Sequence, residues 1–171
     1  MPHVVKEACQ QDYQEEMRLV IEGQPVAAPR PRVTRMGRAY LPKHYTDYKK
    51  SAITQLRNQN TKHPLTDDTC IHVEYVFKRL ANTPKRQVRR IYKSKKPDID
   101  NCIKSTLDCL VDAGVLLDDN IVVSISAVKY MAALGEEPHT TINIRGIDEI
   151  HEGESKGEAE EESPHENQSS S

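Results

Sequence analysis

Carboxylates are concentrated in the stretch KPDIDNCIKSTLDCLVDAGVLLDDN, residues 96–120. Asp98 and Asp100 lie two residues apart, and in extended backbone residues at this spacing point to the same side. At a predicted helix start, the helix dipole and the free N–H groups help to keep both carboxylates ionised. Asp118 and Asp119 form a second pair at the predicted start of a strand. We expect the two pairs to meet at one edge of a sheet.

Converging carboxylates repel one another, and a divalent cation relieves this repulsion. Hard oxygen ligands suit Mg²⁺, for which Mn²⁺ can substitute, and do not favour zinc. Lys104 follows Asp100 by four residues, so both side chains can face one site. In phosphodiester hydrolysis a metal polarises the phosphoryl oxygen and activates water, while a lysine offsets the charge that develops on the phosphate. The residue types therefore predict a metal-dependent phosphodiesterase site.

Each of these features also has an ordinary structural explanation. A D-x-D at a helix start can be a cap with a second dipole partner, and Asp-Asp before a strand is commonly a turn. Lys104 can be an i,i+4 partner of Asp100 or Asp108. The combination with neighbouring cations favours a site for a polyanion. An EF-hand calcium site is disfavoured, because the sequence has no D-x-D-x-D-G loop with a closing glutamate.

Two basic segments accompany the carboxylates. Residues 81–97 contain seven bases and no acid, and residues 30–43 alternate arginine with proline, glycine and tyrosine. Rigid arginine-rich loops with an aromatic residue suit phosphate contacts and base stacking, and a plain solvated loop is the alternative. The candidate nucleic-acid-binding residues are Arg30, Arg32, Arg35, Arg38, Lys85, Arg86, Arg89, Arg90, Lys93, Lys95 and Lys96.

The net charge of −2 conceals an uneven distribution. Residues 148–171 contain nine acidic residues and one lysine, which leaves 23 bases and 17 acids in residues 1–147. We expect the basic body to attract polyanions and the acidic tail to oppose them. With almost no large apolar residue, the tail is predicted to be disordered.

Apolar periodicity predicts six main elements in the order β, α, β, α, β, β. They are strand 18–27, helix 45–59, strand 70–80, helix 98–114, strand 120–131 and strand 140–147. This order predicts an α+β domain with a small mixed β-sheet and two main helices. In the second helix, Ile99, Ile103, Leu107, Leu110 and Val111 form the expected apolar stripe.

The four cysteines have no metal-type spacing, and we expect reduced thiols in a cytoplasmic protein. Cys102 and Cys109 lie seven residues apart and are predicted to be small buried hydrophobes. No apolar run approaches the ~20 residues of a membrane span, and the N-terminus has no apolar segment that would indicate export. We therefore expect no membrane partner.

The stretch KPDIDNCIKSTLDCLVDAGVLLDDNIVVSISAVKY resembles the core motif of the RusA family of Holliday-junction resolvases. The shared pattern is D-x-D-N, a lysine four residues beyond the second aspartate, D-C-L within the helix, a glycine, and D-D at the start of a strand. APRPRVTRMGRAYLPKHYTDYKK is similar to the arginine-proline segment of the phage and prophage branch. The resemblance implies an N-terminal extension (1–17), a RusA-like nuclease domain (18–147) and the appended tail (148–171).

The same resemblance implies a homodimeric, Mg²⁺-dependent endonuclease that cuts branched DNA, such as four-way junctions, in the bacterial cytoplasm. It implies that Asp98, Asp100 and Asp119 are catalytic metal ligands and that Lys104 assists them. Asp119 is preferred over Asp118, because its spacing from Asp98 matches the family without a gap. The sequence departs from the family at residues 116–117, where leucines stand in place of a frequent aromatic.

Two other functions remain open at this point. One is a non-catalytic protein that binds branched DNA, which the full acidic set argues against, because a pure binder gains nothing from negative charge that faces phosphates. The other is a metal-dependent nuclease that acts on flaps or single strands, which the sequence does not separate from a junction nuclease.

Overall fold

The computed structural model describes residues 16–30, 32–33, 35–37, 39–60 and 62–147. The predicted extension, except residues 16 and 17, and the predicted disordered tail lie outside the described residues. The elements, in chain order, are β1 (Met17–Glu22), β2 (Arg32–Val33), β3 (Ala39–Tyr40), α1 (Lys43–Gln59), β4 (Thr69–Phe77), β5 (Ile91–Tyr92), α2 (Ile99–Ala113), a 3₁₀ turn (Asp119–Ile121), β6 (Val122–Met131) and β7 (His139–Gly146).

The main sheet has five strands in the order β1-β7-β4-β6-β5, and β2 and β3 form a separate hairpin. β4 and β6 are parallel, whereas the other neighbouring pairs of the main sheet are antiparallel. Because parallel strands require a long crossover, the chain leaves β4, passes through α2 and returns to start β6. The predicted α+β fold with a mixed sheet is confirmed.

This crossover determines where the two ends of α2 lie. Phe77 pairs with Met131 at the carboxyl edge of the sheet, defined here as the edge where β4 and β6 end. α2 begins near this edge and runs back toward the opposite edge, where β6 starts.

The two helices cover one face of the sheet. Along β4, Ile71, Val73 and Tyr75 are buried while His72 and Glu74 are partly exposed, which confirms the predicted strand with one wet face. The buried Tyr75 hydroxyl lies 2.9 Å from Thr106 Oγ1 and joins the sheet to α2. Helices and sheet share one apolar core.

α2 occupies the predicted position and ends at Gly114, whose φ of 75° is the left-handed conformation that favours glycine. The predicted apolar stripe is confirmed at Leu110, which is buried, and at Leu107 and Val111, which pack against the core, whereas Ile99 is 38% exposed. Small side chains also face the core. The buried residues are Cys102, Ser105, Thr106, Cys109, Leu110 and Ala113. The burial predicted for the two cysteines is confirmed.

Two strand predictions need correction. β1 ends at Glu22, because the chain turns at Gly23, where φ is 103°. β5 lies inside the segment predicted as a loop, and its two residues pair with the end of β6. Within the described residues, no helix is long and apolar enough to cross a membrane.

Candidate active site

Asp98 and Asp100 lie at the N-terminus of α2, beside the carboxyl edge. Asp98 is the N-cap residue with φ −70° and ψ 143°, but its side chain makes no capping hydrogen bond. Its backbone carbonyl accepts from the Cys102 N–H at 3.2 Å. Both aspartates are exposed, and neither forms an ion pair within the described part of the chain. The capping explanation therefore does not apply to the Asp98 side chain, and both carboxylates can bind a cation.

This pair of carboxylates is a partial ligand set for a hard cation. Carboxylate oxygen donors suit Mg²⁺ or Mn²⁺. Among the described residues, no three His, Cys, Asp or Glu side chains are grouped closely enough to hold a metal ion. Two protein ligands fit Mg²⁺ chemistry, because this ion usually keeps several waters.

The second pair of aspartates divides into two different roles. Asp118 Oδ1 accepts from the Asn120 N–H at 2.9 Å and so caps the 3₁₀ turn. Asp119 is exposed and forms no ion pair with a described residue. Asp118 therefore has a structural role in the turn, and the choice of Asp119 as a metal ligand stays a prediction.

The expectation that all these carboxylates meet at one edge is not met within one chain. Asp119 precedes β6, whose first residue pairs with Thr69 at the edge opposite Asp98. The 15 residues of α2 lie between the two ends, a distance of about 22 Å at 1.5 Å per residue. Within one chain, Asp119 therefore lies far from Asp98 and Asp100.

Lys104 lies on the exposed side of α2, one turn after Asp100. It forms no ion pair with Asp100, Asp108 or another described residue. The i,i+4 explanation is therefore not observed, and the ammonium group is free to meet a phosphate.

Two further lysines surround the first turn of α2. Burial raises the pKa of the Cys102 thiol to about 11. The charges of Lys129 and Lys93 oppose this rise, whereas those of Asp100 and Asp98 add to it. The buried Cys102 thiol is thus within electrostatic reach of two ammonium groups and two carboxylates at the start of α2.

Lys93 lies in a different environment from an ordinary loop lysine. Its Nζ is 5.3 Å from the centroid of the Phe77 ring. Burial, followed by the charges of Lys129 and Lys95, lowers its pKa. Lys93 therefore belongs to the border of the site, not to a freely solvated DNA-contacting loop.

The arginine-proline segment passes beside the same helix turn. The Ala28 N–H donates to the Asn101 carbonyl at 2.8 Å, so Arg30 follows two residues after a contact with α2. Arg30 and Arg35 are exposed. Arg32 lies in β2, and Arg38 is outside the described residues. The segment therefore contacts the first turn of α2 at Ala28.

Most cations of the 81–97 segment are exposed, but Arg90 is not free. Its guanidinium donates to Glu74 at 3.0 Å and pairs with Glu136, and it lies 5.8 Å from the centroid of the Tyr130 ring. We therefore assign Arg90 a structural role in place of the predicted DNA contact. The exposed members are Lys85, Arg86, Arg89, Lys95 and Lys96.

The chain was compared with models of protein families. The model described as Endodeoxyribonuclease RusA matches residues 22–145. The chain belongs to the RusA family. The RusA match runs from the end of β1 almost to the end of β7 and includes both acidic pairs and both basic segments. No curated protein matches the chain significantly.

In this RusA-family chain, Lys129 is the site residue that sequence reasoning missed. The available signal was its place in β6, where alternation puts a lysine on the same side as Ile125 and Ala127. A charged residue on the apolar side of a strand requires polar partners nearby, and here those partners lie next to Asp98.

Proposed function

We propose that this RusA-family endodeoxyribonuclease is a Mg²⁺-dependent enzyme that cuts branched DNA, with four-way junctions as its preferred substrate. The observation that carries the proposal is the unengaged Asp98 and Asp100 pair at a helix N-terminus, bordered by exposed cations. Within the described residues neither side chain has a hydrogen-bond or ion-pair partner, so both are free to bind a cation, which would also relieve their mutual repulsion.

Each group has a distinct part in this proposal. Asp98, Asp100 and Asp119 hold the cation, which when bound polarises the phosphoryl oxygen and lowers the pKa of bound water. Lys104 faces the phosphate and offsets the negative charge that grows during hydrolysis. The exposed cations of the two basic segments bind the DNA backbone, with Arg30 and Arg35 on one side and Lys85, Arg86, Arg89, Lys95 and Lys96 on the other.

We propose that the active species is a homodimer. The distance between Asp98 and Asp119 along α2 supports a site in which the second copy supplies Asp119. A closed two-fold assembly forms two such sites, and two symmetric sites match the symmetry of a four-way junction. Paired cleavage of opposite strands follows from this arrangement.

Two rival functions make different predictions. A non-catalytic protein would bind junctions and leave the strands intact with every metal. A flap or single-strand nuclease would cut those substrates at least as fast as a junction.

One experiment separates the three functions. A labelled four-way junction, a flap and a linear duplex of the same sequence are incubated with the protein in Mg²⁺, Ca²⁺ or EDTA. We expect paired cuts in the junction with Mg²⁺, little cutting of the duplex and none in EDTA. Cleavage that continues in EDTA, or an intact junction at saturating protein, would contradict the proposal.

A further inference from the structure

Lys129 is a charged residue on the helix-facing side of β6. It pairs with Tyr75, which is 1% exposed, and shares its side of the strand with Ile125 and Ala127, both packed against the core. Lys129 is itself half-buried and forms no ion pair within the described residues. An ammonium group in such a place needs hydrogen-bond acceptors.

The acceptors are backbone carbonyl oxygens in the segment that leads into α2. Lys129 Nζ donates to the Lys95 carbonyl at 3.2 Å and to the Pro97 carbonyl at 2.5 Å. The Lys129 carbonyl in turn accepts from the Lys93 N–H at 2.9 Å. Lys129 thus holds every second residue from 93 to 97, and its last contact lies one peptide bond before Asp98.

We propose that Lys129 is a positioning residue, which fixes segment 93–97 and thereby orients the Asp98 carboxylate relative to Asp100. This inference rests on the proposed function, since it takes the two aspartates as cation ligands. Segment 93–97 precedes the first helical turn and has no helical hydrogen bonds to order it. Its order comes from β6, and the charge-assisted bonds from Lys129 are the strong ones of that set.

A purely electrostatic role for Lys129 makes the opposite prediction. A fixed positive charge beside a cation site repels the cation, so loss of the charge alone would tighten metal binding. Loss of the backbone contacts frees Asp98 to take other orientations, so metal binding would weaken. The sign of the change in affinity therefore distinguishes positioning from charge.

The first test is calorimetric titration of the full chain with Mn²⁺, comparing wild type with Lys129→Met and Lys129→Arg. Methionine keeps the length and removes both donor and charge, whereas arginine retains both. We expect Lys129→Met to weaken Mn²⁺ binding ~10–100-fold, the usual cost of losing support to a metal ligand, and Lys129→Arg to recover most of it. Lys95→Met is the matched control, since it removes a nearby charge without removing the carbonyl contacts, and we expect unchanged or tighter binding.

The second test needs no metal. Hydrogen exchange of the peptide that covers residues 93–101 is followed by mass spectrometry, and we expect faster exchange in Lys129→Met while peptides of β4 are unchanged. Unchanged exchange in 93–101, or Mn²⁺ binding by Lys129→Met as tight as in wild type, would overturn the proposal for Lys129. Absence of Mn²⁺ binding by wild type would instead overturn the metal assignment, and the orienting role with it.

Discussion

At the scale of single residues, hydrogen bonding separates carboxylates that look alike in the sequence. Asp118 accepts a backbone N–H and caps a turn, whereas the side chain of Asp119 accepts no hydrogen bond from a described residue. Asp98 occupies an N-cap position without using its side chain as the cap. A carboxylate that is not needed by the fold remains free for a ligand, and these free groups are the ones we assign to the metal.

Asp98→Asn and Asp100→Asn are each expected to stop cleavage while junction binding persists or tightens. Either change removes a metal ligand and also relieves repulsion with phosphate. The measurement is cleavage and gel-shift affinity on one labelled junction, with Asp108→Asn on the same helix as the control. Mg²⁺-dependent cutting above about a tenth of the wild-type rate would exclude a ligand role, because loss of an outer-shell group alone often costs ~10–100-fold.

Lys104→Ala is expected to slow single-turnover cleavage by ~10²–10³-fold, the usual cost of losing one donor to developing charge, with little change in affinity. Lys85→Ala is the matched comparison, because this exposed lysine lies away from the first turn of α2 and should affect mainly affinity and its salt dependence. Lys93 belongs to the same basic segment but is unsuitable as a control, because it packs on Phe77 beside the site. Normal single-turnover rates with weakened binding would make Lys104 an ordinary surface lysine.

At the scale of elements, the basic segment 81–97 is attached to the sheet by one partly exposed ion-pair network. Arg90 connects Glu74 in β4 with Glu136 in the β6–β7 connection. The Arg90 guanidinium also packs on the Tyr130 ring, which stacks with Tyr92 of β5 at a centroid distance of 5.3 Å. The segment is therefore anchored at Arg90, and its cations other than Arg90 and Lys93 are exposed.

Arg90→Ala is expected to lower the free energy of unfolding by ~1–2 kcal/mol at neutral pH, as for a partly buried charged hydrogen bond. The hydrogen bond from Arg90 holds the pKa of Glu136 below its usual 4.5. Because the pKa of Glu136 is lower in the folded than in the unfolded state, its ionised carboxylate stabilises the fold at pH values above the unfolded-state pKa. This stabilisation is lost as the pH falls through the folded-state pKa.

Urea unfolding at pH 7 and at successively lower pH values measures the difference in free energy of unfolding between wild type and Arg90→Ala. We expect this difference in free energy of unfolding to become smaller in acid. The control is Arg89→Ala, which changes an exposed neighbour and should unfold like wild type at every pH. A difference that stays constant with pH would show that Arg90 acts through packing alone.

At the scale of the whole molecule, the β4–α2–β6 crossover separates the two acidic ends of the site. If a second copy supplies Asp119, mixing two inactive variants should restore activity. In a heterodimer of Asp100→Asn and Asp119→Asn, one of the two sites contains only native ligands, so random mixing leaves about a quarter of all sites intact.

The measurement is nicking of a junction by each variant and by a refolded equimolar mixture. We expect single nicks from the mixture and none from either variant alone. If all ligands come from one chain, no combination contains an intact site, and the mixture would remain inactive.

Removal of residues 149–171 is expected to strengthen binding to linear duplex, most at low salt. Residues 148–171 carry nine acids and one base, and such a polyanion competes with DNA phosphates for the basic segments. The comparison is the duplex affinity of wild type, the truncation, and a tail of equal length with its acids replaced by amides. Equal affinities at 50 mM salt, a condition in which such competition is strong, would contradict competition by the tail.

The sequence alone predicted the order of the main elements, the mixed α+β fold and the position of the D-x-D pair at a helix start, because these depend on local spacing. Periodicity places helices and strands, and the D-x-D at a helix start is a local arrangement. The buried face of α2 was predicted only in part, because Ser105 and Thr106, which are buried beside Leu110, are not recognised as core residues from apolar periodicity.

Only the tertiary structure decided how distant residues relate to one another. Arg90 forms ion pairs with glutamates from two other parts of the chain. Lys129 donates hydrogen bonds to the backbone carbonyls that precede Asp98. The tertiary structure also placed Asp119 at the far end of α2, because a parallel β-α-β connection must send its helix back along the sheet. These are contacts between segments far apart in sequence, and their geometry is determined by the packing of the sheet, not by the spacing of residues along the chain.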